Sequence, residues 1–128
     1  MQFKAFKEQL KQIVDQGLPG HEFQYRMAPQ HRPTEAEVRR YYERAKKSGV
    51  LVLFYPVEEV PHTVFIQRPV YPGVHSGQIA FPGGRKEPQD PDTIATALRE
   101  AHEEVGVLPD SVEVIKPLTD LYIPPSNF

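Results

Sequence analysis

The spacing of apolar positions changes character near residue 49. Phe3, Phe6, Leu10, Ile13 and Val14 recur every three or four residues among Lys, Gln and Glu, which predicts an amphipathic helix ending near Gly17. Pro19 and Gly20 break it, and His21 to Pro33 shows no period, so Pro29, His31 and Pro33 mark a loop. Thr34 followed by Glu37 has the pattern of a capping box and predicts a helix to about Lys47, stopped at Gly49. Beyond that point Val50 to Tyr55 and Thr63 to Gln67 are β-branched and aromatic runs, expected to pair as strands. The shift divides the chain into a helical amino-terminal extension, residues 1–48, and a mixed domain, residues 49–128, with no repeats or low-complexity tract.

Gln78 to Phe81 reads as a short strand that must end at Pro82, Gly83 and Gly84. Asp90 is the expected N-cap of the next helix, with Pro91 in its first position, and Gly106 closes it after Val105. Val112 to Ile115 and Leu118 to Ile123 alternate between apolar and polar, predicting one or two further strands before Pro124 and Pro125.

Composition narrows the function classes. A chain of 128 residues with 39% hydrophobic and 25% charged content fits one globular domain. Fifteen Lys and Arg against seventeen Asp and Glu leave no surplus charge for a nucleic-acid backbone or an anionic membrane, so the expected partner is a small molecule held locally. The absence of cysteine excludes disulfides, thiolate metal sites and a cysteine nucleophile. The longest mostly apolar run, Gly49 to Val57, is too short for a membrane span, and the amino terminus lacks the apolar stretch of a secretory signal, so the expected compartment is the cytoplasm.

The helix ending at Val105 carries the candidate chemistry. On a helical wheel Ile94, Leu98, Ala101 and Val105 fall within about 60°, bordered by Ala97, whereas Glu100, Glu103 and Glu104 occupy a separate sector about 100° wide. Three carboxylates crowded near a helix carboxyl terminus repel one another and oppose the helix dipole. Arg99 reaches Glu103 one turn on but cannot neutralise all three. A hard divalent cation, Mg²⁺ or Mn²⁺, would do so while also binding substrate phosphate oxygens. Glutamate-rich faces are ordinarily just solvated, and paired glycines ordinarily make a tight turn. The combination is more specific, because a strand delivers Gly83 and Gly84, which let backbone approach a metal or phosphate, just ahead of this helix.

From Gly84 to Val107 the chain resembles the Nudix box. Arg99, Glu100, Ala101, His102, Glu103, Glu104, Val105, Gly106 and Val107 match its second half. In the first half Asp90 stands where the box has Glu, and eight residues instead of seven separate it from Arg99. Upstream, Phe65 to Gly84 is similar to the segment preceding the box in the coenzyme A pyrophosphatase branch. Arg68, Gly77, Phe81, Pro82, Gly83 and Gly84 agree, while Pro69 and Gly73 replace a small residue and a second Arg.

The resemblance implies an α/β fold of the Nudix type, an α/β/α sandwich with a mixed sheet. It also implies Mg²⁺- or Mn²⁺-dependent hydrolysis of the diphosphate linkage in a nucleoside diphosphate derivative, coenzyme A or an acyl-CoA first. Carried over by position, Glu100, Glu103, Glu104 and the Gly84 carbonyl are metal ligands, Arg99 orients Glu103, and Glu104 is the first choice for the base. Arg68, Gly83 and Gly84 are the expected substrate contacts. His75 and His102 are read as structural, and Tyr71 and Phe81 as packing residues. The last residues look like mid-domain sequence, so the domain is expected to be truncated, with exposed sheet edges favouring a homodimer. ADP-ribose, dinucleotides and other nucleotides are alternative substrates. A non-catalytic module that senses a nucleotide or binds a partner is the alternative from another class.

Overall fold

The computed structural model describes residues 1–30, 32–124 and 128, so His31 and the Pro125 to Asn127 stretch lie outside the described residues. Helix α1 is Phe3–Asp15, as the apolar period predicts, with Val14 buried and Phe6 meeting Phe54 edge-on at 4.9 Å. A second helix, α2, forms at His21–Arg26 where a loop is predicted. At six residues it is too short to display a period. It is held by contacts distant in sequence: His21 Nε2 lies 2.7 Å from the Asp120 carbonyl, and Gln24 Nε2 donates to the Thr119 carbonyl at 3.2 Å.

The capping box at Thr34 and Glu37 is formed, with the Thr34 N–H donating to Glu37 Oε2 at 2.7 Å. The helix it opens, α3, covers only Glu35–Val38 and tightens into a 3₁₀ turn at Arg39–Tyr41, well short of the predicted Lys47. Val38, 1% exposed, is its one buried residue. The chain then turns so that the Tyr41 and Tyr42 rings pack on Tyr122, at 6.2 and 6.0 Å between centroids.

Six short strands follow: β1 Ser48–Val50, β2 Phe54–Val57, β3 Val60–Thr63, β4 Ile66–Gln67, β5 Ile79–Ala80 and β6 Gly83–Arg85. Their pairing corrects the sequence reading. The predicted partners Val50 to Tyr55 and Thr63 to Gln67 are split between ladders, because a two-residue turn at Glu58 and Glu59 closes β2 directly onto β3. Both turn residues have positive φ, 48° and 65°, a conformation that suits the twist of a hairpin though not a glutamate side chain. The Phe3 N–H, donating to the Glu59 carbonyl at 2.6 Å, fastens the turn to α1. β4 pairs with β5, and β1 with β6, both antiparallel.

The fold is mixed α/β. Among the described residues the ladders are three separate antiparallel pairs, in place of the single mixed sheet expected of a sandwich. Helix α4, Thr93–Val105, lies against β1 and β6, and Thr96, Ala97 and Ala101 form its buried face. The strands predicted over Val112 to Ile115 and Leu118 to Ile123 are not formed; a 3₁₀ turn at Pro109–Ser111 is followed, among the described residues, by chain that is neither helix nor strand. That chain is held by the amino-terminal helices. Lys7 and Lys11 pair with Glu113, and Lys116 Nζ donates to the Val14 carbonyl at 2.8 Å. Arg32 Nη2 donates to the Tyr122 carbonyl at 2.7 Å. His21, Gln24 and Arg32 thus meet the carbonyls of Asp120, Thr119 and Tyr122 that no ladder pairs. Among the described residues no helix is long and apolar enough to cross a membrane.

Candidate functional site

Glycines set how closely α4 approaches the β1–β6 ladder. A Cβ on Gly49 would collide with the Thr93 carbonyl oxygen and stand 2.9 Å from the Ala97 nitrogen, and one on Gly83 would stand 2.6 Å from the Val50 Cα. Gly49 and Gly84 face each other in the ladder. A Cβ on Gly84 would reach within 2.5 Å of Glu100 Oε1, so the missing side chain leaves the space that the Glu100 carboxylate fills. Two turns of sequence-encoded geometry meet here: the strand's glycines and the helix's acidic sector.

The helix starts two residues later than predicted. Asp92, not Asp90, is the N-cap, its Oδ1 accepting from the Ala95 N–H at 2.8 Å. Asp90 is instead buried, 5% exposed, beneath Arg99. Arg99 Nε and Nη2 donate to its two oxygens at 3.0 and 2.9 Å, the Thr96 hydroxyl donates to Oδ2 at 3.0 Å, and the Glu87 N–H does so at 2.9 Å. A carboxylate that accepts four such bonds is needed where it sits, because burying it without partners would be costly. The Arg99 hydrogen bonds, followed by that from the Glu87 N–H, hold the Asp90 carboxyl well below the usual carboxylate range, against the opposing effect of burial. Asp90 in turn holds the Arg99 guanidinium more firmly protonated than an ordinary arginine.

Fixed in this way, Arg99 faces the glutamates. Its Nη1 donates to Glu100 Oε1 at 2.9 Å and to Glu103 Oε1 at 3.2 Å, so one nitrogen gathers two carboxylates, while Nη2 also reaches the Arg85 carbonyl at 3.1 Å. Glu104 is turned away from this pair, and its Oε2 accepts from the Gly83 N–H at 2.9 Å. The three carboxylates therefore do not converge. Among the described residues no group of three His, Cys, Asp or Glu side chains is arranged around one point. The donor set still suits a hard cation: carboxylate oxygens, with Gly84 backbone directly against one of them. Glu104 would join it by giving up the Gly83 N–H.

Arg68 stands apart from this cluster, just after β4, with its N–H donating to the Gln78 carbonyl at 2.9 Å. Its Nε is buried without a hydrogen-bond partner among the described residues, a costly arrangement for a charged donor. The loop between β4 and β5 is folded on itself: the Tyr71 hydroxyl donates to the Val74 carbonyl at 2.6 Å, and His75, at φ 67°, has Nδ1 3.0 Å from Gln78 Oε1. His102 Nδ1 lies 3.1 Å from the Val107 carbonyl at the end of α4. Phe81 packs against Phe65, 4.8 Å between centroids. Thr96 gives no signal as a site residue in the sequence, and Asp90 is marked there only by its place in the box resemblance, since nine positions separate it from Arg99 and no helical period links them.

One arginine thus organises a carboxylate pair beside a glycine-lined strand end, and comparison with known proteins gives the class of protein that carries it. The NUDIX domain family matches residues 45–128, and the chain belongs to that family. Over a stretch of 55 residues the chain is 51% identical to the uncharacterized Nudix hydrolase NudL of Escherichia fergusonii, covering 43% of this chain and 29% of that protein. The proteins of the same name from Escherichia coli K12 and Shigella boydii are 49% identical over the same length and coverage. The matched stretch thus spans under a third of these relatives.

Proposed function

We propose that the protein is a Nudix hydrolase that cleaves the diphosphate linkage of a nucleoside diphosphate derivative, coenzyme A or an acyl-CoA foremost, with Mg²⁺ or Mn²⁺, in the cytoplasm. The observation that carries this reading is Arg99, anchored by buried Asp90, gathering Glu100 and Glu103 beside Gly84. The family match to residues 45–128 supports the same reading, with residues 1–48 as a helical arm attached to that domain. A sandwich with a mixed sheet is the architecture we assign to this family's domain.

Glu100, Glu103, Glu104 and the Gly84 carbonyl would hold the cation, which supplies charge neutralisation at the diphosphate and a more acidic water. Arg99 fixes the positions of Glu100 and Glu103. Once Glu104 gives up the Gly83 N–H and turns one oxygen to the cation, its other oxygen would accept a proton from the attacking water. The buried, unpartnered Nε of Arg68 supports a role in gripping a substrate phosphate, with Gly83 and Gly84 leaving room for it.

The test is hydrolysis of coenzyme A, ADP-ribose and NADH in Mg²⁺ or Mn²⁺, with products identified by mass. Release of 4′-phosphopantetheine from coenzyme A is the expected result. Turnover of ADP-ribose or NADH alone would move the substrate elsewhere in the family, and nucleotide binding without turnover of any of the three would overturn the enzyme reading in favour of a sensing module.

A further inference from the structure

Thr96 places a hydroxyl where helix packing has no use for one. It lies on the buried face of α4 with Ala97 and Ala101 and is 0% exposed. A β-branched residue inside a helix is less favourable than alanine, and a buried hydroxyl is costly unless it has a partner. Its oxygen stands between two acceptors, Asp90 Oδ2 at 3.0 Å and the Asp92 carbonyl at 3.1 Å. Only one hydroxyl proton is available to them. The Asp92 carbonyl already accepts the Thr96 N–H at 3.2 Å, whereas a carboxylate makes the stronger, charge-assisted bond. The hydroxyl proton therefore goes to Asp90.

That bond bears on which nitrogens of Arg99 are free. Oδ2 of Asp90 also accepts from the Glu87 N–H, so two donors besides Arg99 hold it in place. Held there, the carboxylate meets Arg99 at Nε and Nη2, and Nη1 is left for Glu100 and Glu103. An Asp90 free to rotate could pair with Nη1 and Nη2 instead, which would withdraw Nη1 from the glutamates. Thr96 is one turn before Arg99 on the same helix, so α4 carries both the hydroxyl and the guanidinium to Asp90.

We infer that Thr96 is a positioning residue for the site: its hydroxyl keeps the Asp90 carboxylate on the Nε and Nη2 edge of Arg99, so that Nη1 stays with Glu100 and Glu103. It acts through Asp90 and Arg99, not on the substrate. The effect on the reaction rests on the proposed function; the effect on Arg99 does not.

Three variants test this. Thr96→Val keeps the shape and loses the hydroxyl, Thr96→Ala loses it with less bulk, and Thr96→Ser retains it. In the metal-free protein the Arg99 Nε–H, followed by NMR, should exchange with solvent at least about tenfold faster in the valine and alanine variants than in the wild type, as loss of a charge-assisted bond implies. The serine variant should stay close to the wild type. Unchanged exchange in a folded variant without the hydroxyl overturns the inference. If neither such variant folds, the wild type decides: the Thr96 hydroxyl proton should couple through its hydrogen bond to the Asp90 carboxyl carbon, and coupling to the Asp92 carbonyl, or to neither, overturns the inference.

Turnover separates this inference from the hydrolase reading. With the best wild-type substrate among coenzyme A, ADP-ribose and NADH, Thr96→Val should raise the Mn²⁺ concentration for half-maximal turnover by about tenfold, with KM for the substrate nearly unchanged and Thr96→Ser restoring the wild-type value. A wild-type metal requirement in the valine variant sinks the positioning role and leaves the hydrolase reading intact. Faster Arg99 exchange in the variant, with no hydrolysis by the wild type, does the reverse.

Discussion

Asp90 holds Arg99 by both of its oxygens, at 3.0 and 2.9 Å, from a position where only 5% of the aspartate is exposed. Arg99 can therefore gather Glu100 and Glu103 without swinging between them and solvent. An acid near the end of the loop into α4 thus acts on groups in the second half of the helix.

The first prediction concerns that anchor. Asp90→Asn should lower turnover by about 10- to 100-fold, the usual cost of losing a residue that orients metal-binding groups. Turnover measured across a Mg²⁺ titration should show the loss partly recovered at high metal. Full activity at low Mg²⁺ would show that Arg99 needs no anchor.

Acid should weaken the protein through two carboxylates. Lys11 and Lys7 hold the Glu113 carboxyl down at about 2 from an ordinary 4.5, and Arg99 holds Asp90 well below its ordinary 3.8. In both cases the unfolded chain takes up the proton first as pH falls. Their contributions are thus fully present above about pH 5 and fade progressively below it. Urea unfolding should give midpoints that decline from about pH 5 downward, and Glu113→Gln should flatten part of that decline. An unchanged profile in the variant would remove Glu113 from this account.

Two glycine substitutions should separate fold from site. Gly49→Ala drives a methyl into the backbone of α4 at Thr93 and Ala97, and should destabilise the fold by about 1–3 kcal/mol, as overpacking does. In Gly84→Ala the three atoms nearest the added methyl all belong to the movable carboxylate of Glu100. It should leave thermal unfolding nearly unchanged while lowering turnover by at least about tenfold, since carboxylate placement would set the proposed metal site. Equal loss of stability in both variants would contradict this division.

Glu103→Gln keeps the shape of the side chain and removes its charge. Turnover should fall by at least about tenfold through weaker metal binding. Glu103 is exposed and is held only by Arg99, so stability should hardly change. Unchanged turnover would remove Glu103 from the site.

Helices α1 and α4, the capping box at Thr34 and the glycine stop at Gly106 follow from signals within a few residues of one another, and all are legible in the linear chain. So is the acidic sector of α4, because helical spacing alone makes neighbours of Glu100, Glu103 and Glu104. The partners of those groups were not legible. Asp90 has the appearance of an N-cap, yet the packing of Thr96 and Arg99 turns it inward and passes the cap to Asp92. The β2–β3 hairpin, α2 and the irregular course of residues 112–123 likewise depend on contacts from residues 50 to 100 positions away, such as Phe3 with Glu59 and His21 with Asp120. Lys46, Lys47, Arg85 and Lys86 meet beside Glu100 only through the register of β1 and β6. Periodicity and caps are local energies, written in adjacent residues. Strand register, burial and the joining of distant charges are decided by closing the chain on itself, and only the folded structure records that choice.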